Sequence, residues 1–220
     1  MKTLRFRTLA IILPAAALLT LGTACSGPVA KLGIAGHGPT ASAPAVPPPS
    51  AQESGVRQVH SPGAVAVDEN LAPGQCAARV VDAAAGDVLP DPGCTPGAID
   101  PAVSQDNIDS TICKAGYTAT IRPPASATDK FKTTSLSAYG QSYERTTELD
   151  HLIPLELGGT NSASNLWPEP NRAGATGTTN PKDAVENTFH KAICNHTVKL
   201  ADAQNAIAAN WAGALKTLGL

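Results

Sequence analysis

The sequence predicts an α+β fold: a small hairpin-helix core, preceded by a short helix and strand and followed by one more helix. Three observations carry this. Leu149 to Leu157 is an apolar, strand-like run ending at Gly158-Gly159, and Asn165-Leu166-Trp167-Pro168 is a second short run that Pro168 stops. Asn180-Pro181-Lys182-Asp183 then has helix-start chemistry, with Asn180 as cap, Pro181 at the first helical position and Asp183 in the first turn. Finally, Leu200, Ala203, Ile207, Trp211 and Leu215 fall on one face of a closing helix, a stripe that reads as core packing.

The elements follow in order. Asp87 to Pro101 is dense in turn residues and reads as loop. Ser104 caps a short helix reaching Cys113. Tyr117 to Arg122 alternates and is β-prone, so a strand is expected there, stopped by Pro123-Pro124. Thr128 to Tyr139 suits a helix of modest propensity. The helix that starts at Pro181 should run to about Asn195, with Val185, Phe189, Ala192 and Ile193 at helical spacing. Trp167 and Trp211 read as core residues. Residues 76–140 thus form the first part of the globular domain and residues 141–220 its hairpin-helix core and closing helix.

The N-terminal stretch is not domain. Lys2, Arg5 and Arg7 precede an apolar segment from Leu9 to Leu21 and then small residues, the pattern of an export signal over residues 1–24. The apolar segment is short for a membrane span. Gly22-Thr23-Ala24-Cys25 resembles a bacterial lipobox, although Gly stands where Leu is usual; the resemblance implies lipidation at Cys25. Without lipidation the product is secreted and unanchored. Residues 25–75, with their run TASAPAVPPPSAQESG, read as a disordered linker that cannot bury enough surface to offset its ordering entropy. His37 and His60 within it read as incidental.

Cysteine and charge agree with export. Cys76, Cys94, Cys113 and Cys194 are an even set, which in an oxidising compartment suggests two disulfides. Three pairings are possible. The preferred one is Cys76 with Cys94, closing a local loop, and Cys113 with Cys194, tying an early segment to the late helix. The chain has 16 Lys plus Arg against 18 Asp plus Glu, and loss of Lys2, Arg5 and Arg7 with the leader leaves 13 against 18. That balance argues against coating nucleic acid by bulk positive charge. It allows an enzyme that grips a few phosphates with a metal and one or two basic residues.

The chemistry-bearing residues gather in the last third. Asp150 and His151 are adjacent, so in a strand they point to opposite faces. A metal-binding acid and a general base need only flank one phosphate. Asp150 suits a divalent cation, and His151, kept off the metal, suits removal of a proton from water. Asn165, across the turn, either holds the hairpin through backbone hydrogen bonds or orients the His151 ring. Glu186 and His190 lie four apart on the following helix, on one face and within reach of a common ion. Arg145 and Lys182 are candidates to grip neighbouring phosphates, beside the plainer reading of both as surface charge.

Asp150-His151-Leu-Ile-Pro, Gly-Gly-Thr-Asn, Asn165-Leu-Trp-Pro and a helix carrying His190 together resemble the HNH endonuclease family, also called ββα-metal or His-Me finger nucleases. The likeness, to exported actinobacterial proteins of HNH-like type, covers about residues 90 to 215. It implies His151 as general base, Asp150 and His190 as metal ligands, Asn165 as the residue that orients the base and fixes the loop, and Glu186 as a further helix ligand. His196 replaces His190 if the helix register differs. The implied cofactor is a divalent ion, Mg²⁺, Mn²⁺ or Zn²⁺, and the implied substrate is DNA or RNA. The expected activity is therefore exported, metal-dependent phosphodiester hydrolysis. The alternatives are a non-catalytic cell-surface binding module on the same scaffold and a purely structural metal site. No protein partner is identifiable, and the membrane enters only through the lipid anchor.

Overall fold

The computed structural model describes residues 55–220, so the expectations for residues 1–24, for Cys25 and for the first part of the linker lie outside the described residues. Among the described residues, three two-stranded sheets, four α-helices and two 3-10 segments make up a mixed α and β architecture. β1 (Arg57–Gln58) pairs in parallel with β4 (Ala98–Ile99), and β2 (Arg79–Asp82) pairs antiparallel with β3 (Asp87–Leu89). Residues 55–75 therefore depart from the linker expectation. Ala66 N donates to Asn161 O, and Val65 and Leu71 pack against Phe131, Ala163 and Leu166. A few apolar side chains in an otherwise polar stretch suffice when a preformed surface receives them. His60, too, has a partner: its Nδ1 lies 2.8 Å from Asp100 Oδ1.

The hairpin is present but shorter than expected. β5 (Glu148–His151) pairs antiparallel with β6 (Leu166–Glu169), with Asp150 opposite Trp167 and His151 opposite Leu166. The apolar run beyond His151 leaves the sheet, and Leu155–Leu157 winds into a 3-10 turn closed by Gly158 at φ +73°. Pro154 has no N–H to give a ladder, which explains the early stop. Gly159 is fixed by close approach: a Cβ there would meet the carbonyl oxygen of Ile153 at 1.8 Å.

Tyr117–Ile121 is the clear departure in element type. It forms α1, not a strand. Its alternation favours β, but no strand lies alongside to pair with it, and Gly116 at φ +82° turns the chain into a helix. The Ile121 carbonyl then accepts hydrogen bonds from Gly63 N and Asn161 Nδ2. The expected helix at Ser104 is a 3-10 segment, Gln105–Ser110, with the Ser104 N–H donating to Asn107 Oδ1. α2 (Ala125–Ala138) starts directly after Pro124.

α3 (Pro181–Cys194) begins as the sequence predicts. Asn180 Oδ1 accepts from Lys182 N, and Asp183 Oδ2 accepts from Asn180 N. Val185, Phe189, Ala192 and Ile193 are buried on its inner face. α4 (Leu200–Thr217) buries Leu200, Ala203, Ile207 and Trp211, and the Trp211 indole donates to Val88 O at 2.8 Å. Trp167 and Trp211 are both core residues, 0% and 1% exposed. Among the described residues no helix is long and apolar enough to cross a membrane.

Both preferred disulfides are present, Cys76–Cys94 and Cys113–Cys194. They fit an oxidising compartment. They close loops of 18 and 81 residues, for which chain entropy gives about 3 kcal/mol and between about 4 and 5 kcal/mol of stabilisation. Cys113→Ser/Cys194→Ser should therefore lower the urea midpoint more than Cys76→Ser/Cys94→Ser, measured side by side; the reverse order would contradict a loop-length origin.

Candidate active site

β5 places Glu148 and Asp150 toward α3 and places Leu149 on the other side, against the Leu166 cluster. A polar cleft of about 160 Å³ opens between β5, α1 and α3. Asp150, His151, Glu148, Glu156, Asp183 and Glu186 line it, with Arg122 at its edge. Asp150 and His151 thus line one cleft, although alternation along a strand predicts opposite faces; His151 is the last residue of β5, where the chain leaves the sheet.

His151 is 8% exposed, and its Nε2 lies 2.9 Å from Asn161 Oδ1. The Asn161 amide can be oriented in only one way. Its Nδ2 donates to the carbonyls of Ser61 and Ile121, at 2.7 and 2.8 Å, and carbonyls only accept. Its oxygen therefore faces the imidazole, and Nε2 must carry the proton. Nδ1 is left as the unprotonated nitrogen, and it makes no hydrogen bond among the described residues. Burial pushes the His151 pKa down to about 4, against the opposing effect of Asn161 and Asp150. The ring is therefore neutral around pH 7.

Asn165 takes the first of its two expected roles. It is fully buried and spends its amide on backbone: Oδ1 accepts from Ala98 N and Ile153 N, while Nδ2 donates to Ile153 O and Thr160 O. It fixes the loop and does not touch the His151 ring. The residue that orients the His151 ring is Asn161, which stood in the Gly-Gly-Thr-Asn stretch with no role assigned to it. Its signal was present only as an amide next to a Gly-Gly turn.

Lys182 is the largest correction. It is neither surface charge nor a phosphate contact but is completely buried. Its Nζ lies 2.8 Å from Asp150 Oδ2, donates to His151 O at 2.8 Å and pairs with Glu186 Oε1. Burial alone would lower its pKa, but Asp150 and Glu186 outweigh that and raise it, so the ammonium stays charged. Arg145 is exposed and lines none of the clefts described here. The basic residue at the cleft is Arg122, from the Ile-Arg-Pro-Pro stretch.

His190 does not join Asp150. Its Nε2 donates to Ile112 O at 2.9 Å, and the ring stands beside the Cys113–Cys194 disulfide. A nitrogen of His190 and the two sulfurs all lie within 4.8 Å of one another and could hold a metal ion. Such an ion requires free thiolates, whereas the two sulfurs are joined here. His196 is exposed, 3.5 Å from Asp109, and does not line the cleft either. Of the helix residues, Glu186 and Asp183 reach the Asp150 cleft.

The donor set at that cleft is carboxylate oxygen. Glu156 Oε1 is buried with no hydrogen-bond partner, and burial followed by Asp150 and Asp183 raises Glu148 to about 7. Burial also pushes Glu186 up, against the pull of Lys182. One buried ammonium and one edge guanidinium face five carboxyl groups, so a further positive charge fits there. Hard oxygen donors suit Mg²⁺ or Mn²⁺ better than Zn²⁺.

The chain matches no family model, no curated protein and no solved structure.

Two measurements test this geometry. Lys182→Met should cost about 3–5 kcal/mol in urea unfolding, because it strands buried carboxylates, and Lys182→Met/Glu186→Gln should recover part of the loss. In ¹⁵N NMR at pH 6, His151 should be neutral with its proton on Nε2; a charged ring or an Nδ1–H tautomer would refute the Asn161 assignment.

Proposed function

We propose that the chain is a metal-dependent phosphodiesterase acting on nucleic acid, of the kind the HNH resemblance implies. The single observation that carries this is the cleft in which His151, held as its Nε2–H tautomer, stands beside Asp150, Glu148, Asp183 and Glu186. A neutral imidazole next to a carboxylate cluster is the minimal set for hydrolysing a phosphodiester: one group to take a proton from water, others to hold positive charge near the phosphate.

Asp150 and Glu186 are the residues that would hold the ion, through the carboxylate oxygens not paired with Lys182, with Glu148, Asp183 and Glu156 around them. A divalent cation there would offset charge developing on the phosphate and on the leaving oxygen. His151 accepts the water proton at Nδ1. Asn161 holds the ring against rotation and stabilises the imidazolium that forms, because its oxygen accepts a hydrogen bond from Nε2–H throughout. Lys182 fixes the distance between the two carboxylates. Asn165 keeps the loop that presents Asn161 in register, and so acts as a positioning residue.

The protein from residue 55 onward should cleave single- or double-stranded nucleic acid with Mg²⁺ or Mn²⁺, and EDTA should stop it. His151→Ala should lose about 10²- to 10⁴-fold in rate while staying folded. Equal turnover by wild type and His151→Ala would remove the base assignment.

A second reading has its own observation. The Lys182 ammonium already bridges Asp150 and Glu186, which is what an internal cation in place of a metal would do. On that reading the scaffold is a non-catalytic binding module. A thermal melt separates the two: a native-state ion raises Tm with its concentration, and a metal-free site does not respond.

A further inference from the structure

A phosphodiester link has a nucleoside on each side, so a hydrolytic cleft needs room for chain beside it. The catalytic cleft is small, about 160 Å³, and strongly acidic. It shares Arg122, Glu148 and His151 with a second recess of about 350 Å³. That recess has a different character. Leu149, Leu166 and Pro123 give it apolar walls, Lys132 stands within it, and Thr178 closes it from the loop before α3. The volume lies in the range of pockets that take a single small molecule. It suits one nucleoside with its sugar and does not suit a duplex.

The cations are placed for a polyanion. Arg122 stands on the wall between the two spaces, and its charge is close enough to act on both Glu148 and His151. It is exposed, so its guanidinium is free to form a bidentate contact with phosphate. Lys132 is half-buried. Its Nζ donates to Thr147 O and lies 5.3 Å from the Tyr143 ring centroid, which holds the ammonium at the recess. Asp129 and Glu148 are the opposing carboxyl groups there.

We propose that Arg122 grips the phosphate being cleaved and that the recess beyond it takes one unpaired nucleotide, which makes single-stranded nucleic acid the substrate class. This rests on the phosphodiesterase reading of the adjoining cleft. A base paired in a duplex is stacked between neighbours and enters such a recess only after unstacking, at a cost of a few kcal/mol. A single strand meets that cost in smaller part. Apolar walls then cover the base or sugar, and the two cations contact successive phosphates.

The test measures binding apart from turnover. Fluorescence anisotropy of the His151→Ala protein with Mg²⁺ follows a labelled single-stranded DNA, the same sequence as RNA, and the DNA duplex, across a salt series. The expected result is at least tenfold tighter binding of a single strand than of the duplex, the DNA and RNA arms showing which sugar is preferred. Arg122→Ala should weaken single-strand binding by about tenfold and reduce the salt slope by about one. Lys132→Ala should weaken it severalfold, and the exposed Arg145→Ala should not change it. Equal affinity for single strand and duplex overturns the proposal, as does wild-type affinity and salt slope in both Arg122→Ala and Lys132→Ala. Hydrolysis of bis(p-nitrophenyl) phosphate by the wild-type protein, which needs the catalytic cleft alone, is scored separately. Turnover of that small diester together with a failed anisotropy result sinks the recess and leaves the catalytic reading standing. Strand binding as expected with no turnover of any diester does the opposite.

Discussion

One buried ammonium organises the site. Lys182 has three N–H donors, and its three partners are Asp150, Glu186 and the His151 carbonyl. Two of these lie on β5 and one on α3, so a single charge ties the strand to the helix. Next to it, Asn180 caps α3 and also donates to Glu169 Oε2 at 2.9 Å, which ties the helix start to β6. Glu169 is itself buried, and its pKa is raised well above the usual carboxylate range by burial and by Asp150. Without the ammonium these carboxyl groups would face one another in a medium of low effective dielectric, where like charges repel strongly.

Two asparagines divide the remaining work. Asn165 satisfies backbone groups of the loop between β5 and β6, and so decides where Asn161 sits. Asn161 satisfies two distant carbonyls, Ser61 O and Ile121 O, and presents its oxygen to the imidazole. The tautomer of His151 therefore depends on chain segments that lie 100 and 40 residues from Asn161 in sequence. Residues 55–75 thus contribute to the site: the Ser61 carbonyl helps hold the amide that faces the His151 ring.

The charge layout resolves an apparent conflict. An acidic chain is a poor general binder of polyanions. Here five of the 18 acidic residues line one small cleft, where they suit a cation. Arg122 and Lys132 lie at its rim and in the neighbouring recess. On the proposed reading, affinity for a phosphate chain would be a local matter rather than one of net charge.

The local signals in the sequence were strong where local physics governs. Asn180-Pro181 and Asp183 start a helix because the cap and first-turn chemistry are complete within four residues. The apolar stripes of α3 and α4 needed only helical periodicity to be read, and an even cysteine set pointed to two bonds while leaving three pairings open, of which the structure has the preferred one. Asp150 and His151 were legible as a candidate pair, but that both side chains line one cleft was decided by where β5 ends. Tertiary structure decided the rest. Tyr117–Ile121 carried a β pattern but found no strand to pair with. Lys182, to all appearance a surface cation, is buried because two carboxylates and a carbonyl converge on it from β5 and α3. His190 pointed to Asp150 by motif but lies at Ile112 and the disulfide, since its place on the helix follows how α3 packs. Periodicity and caps act over a few residues and are written in order along the chain. Which donor meets which acceptor across 40 or 100 residues depends on how the elements pack, and that pattern has no local trace.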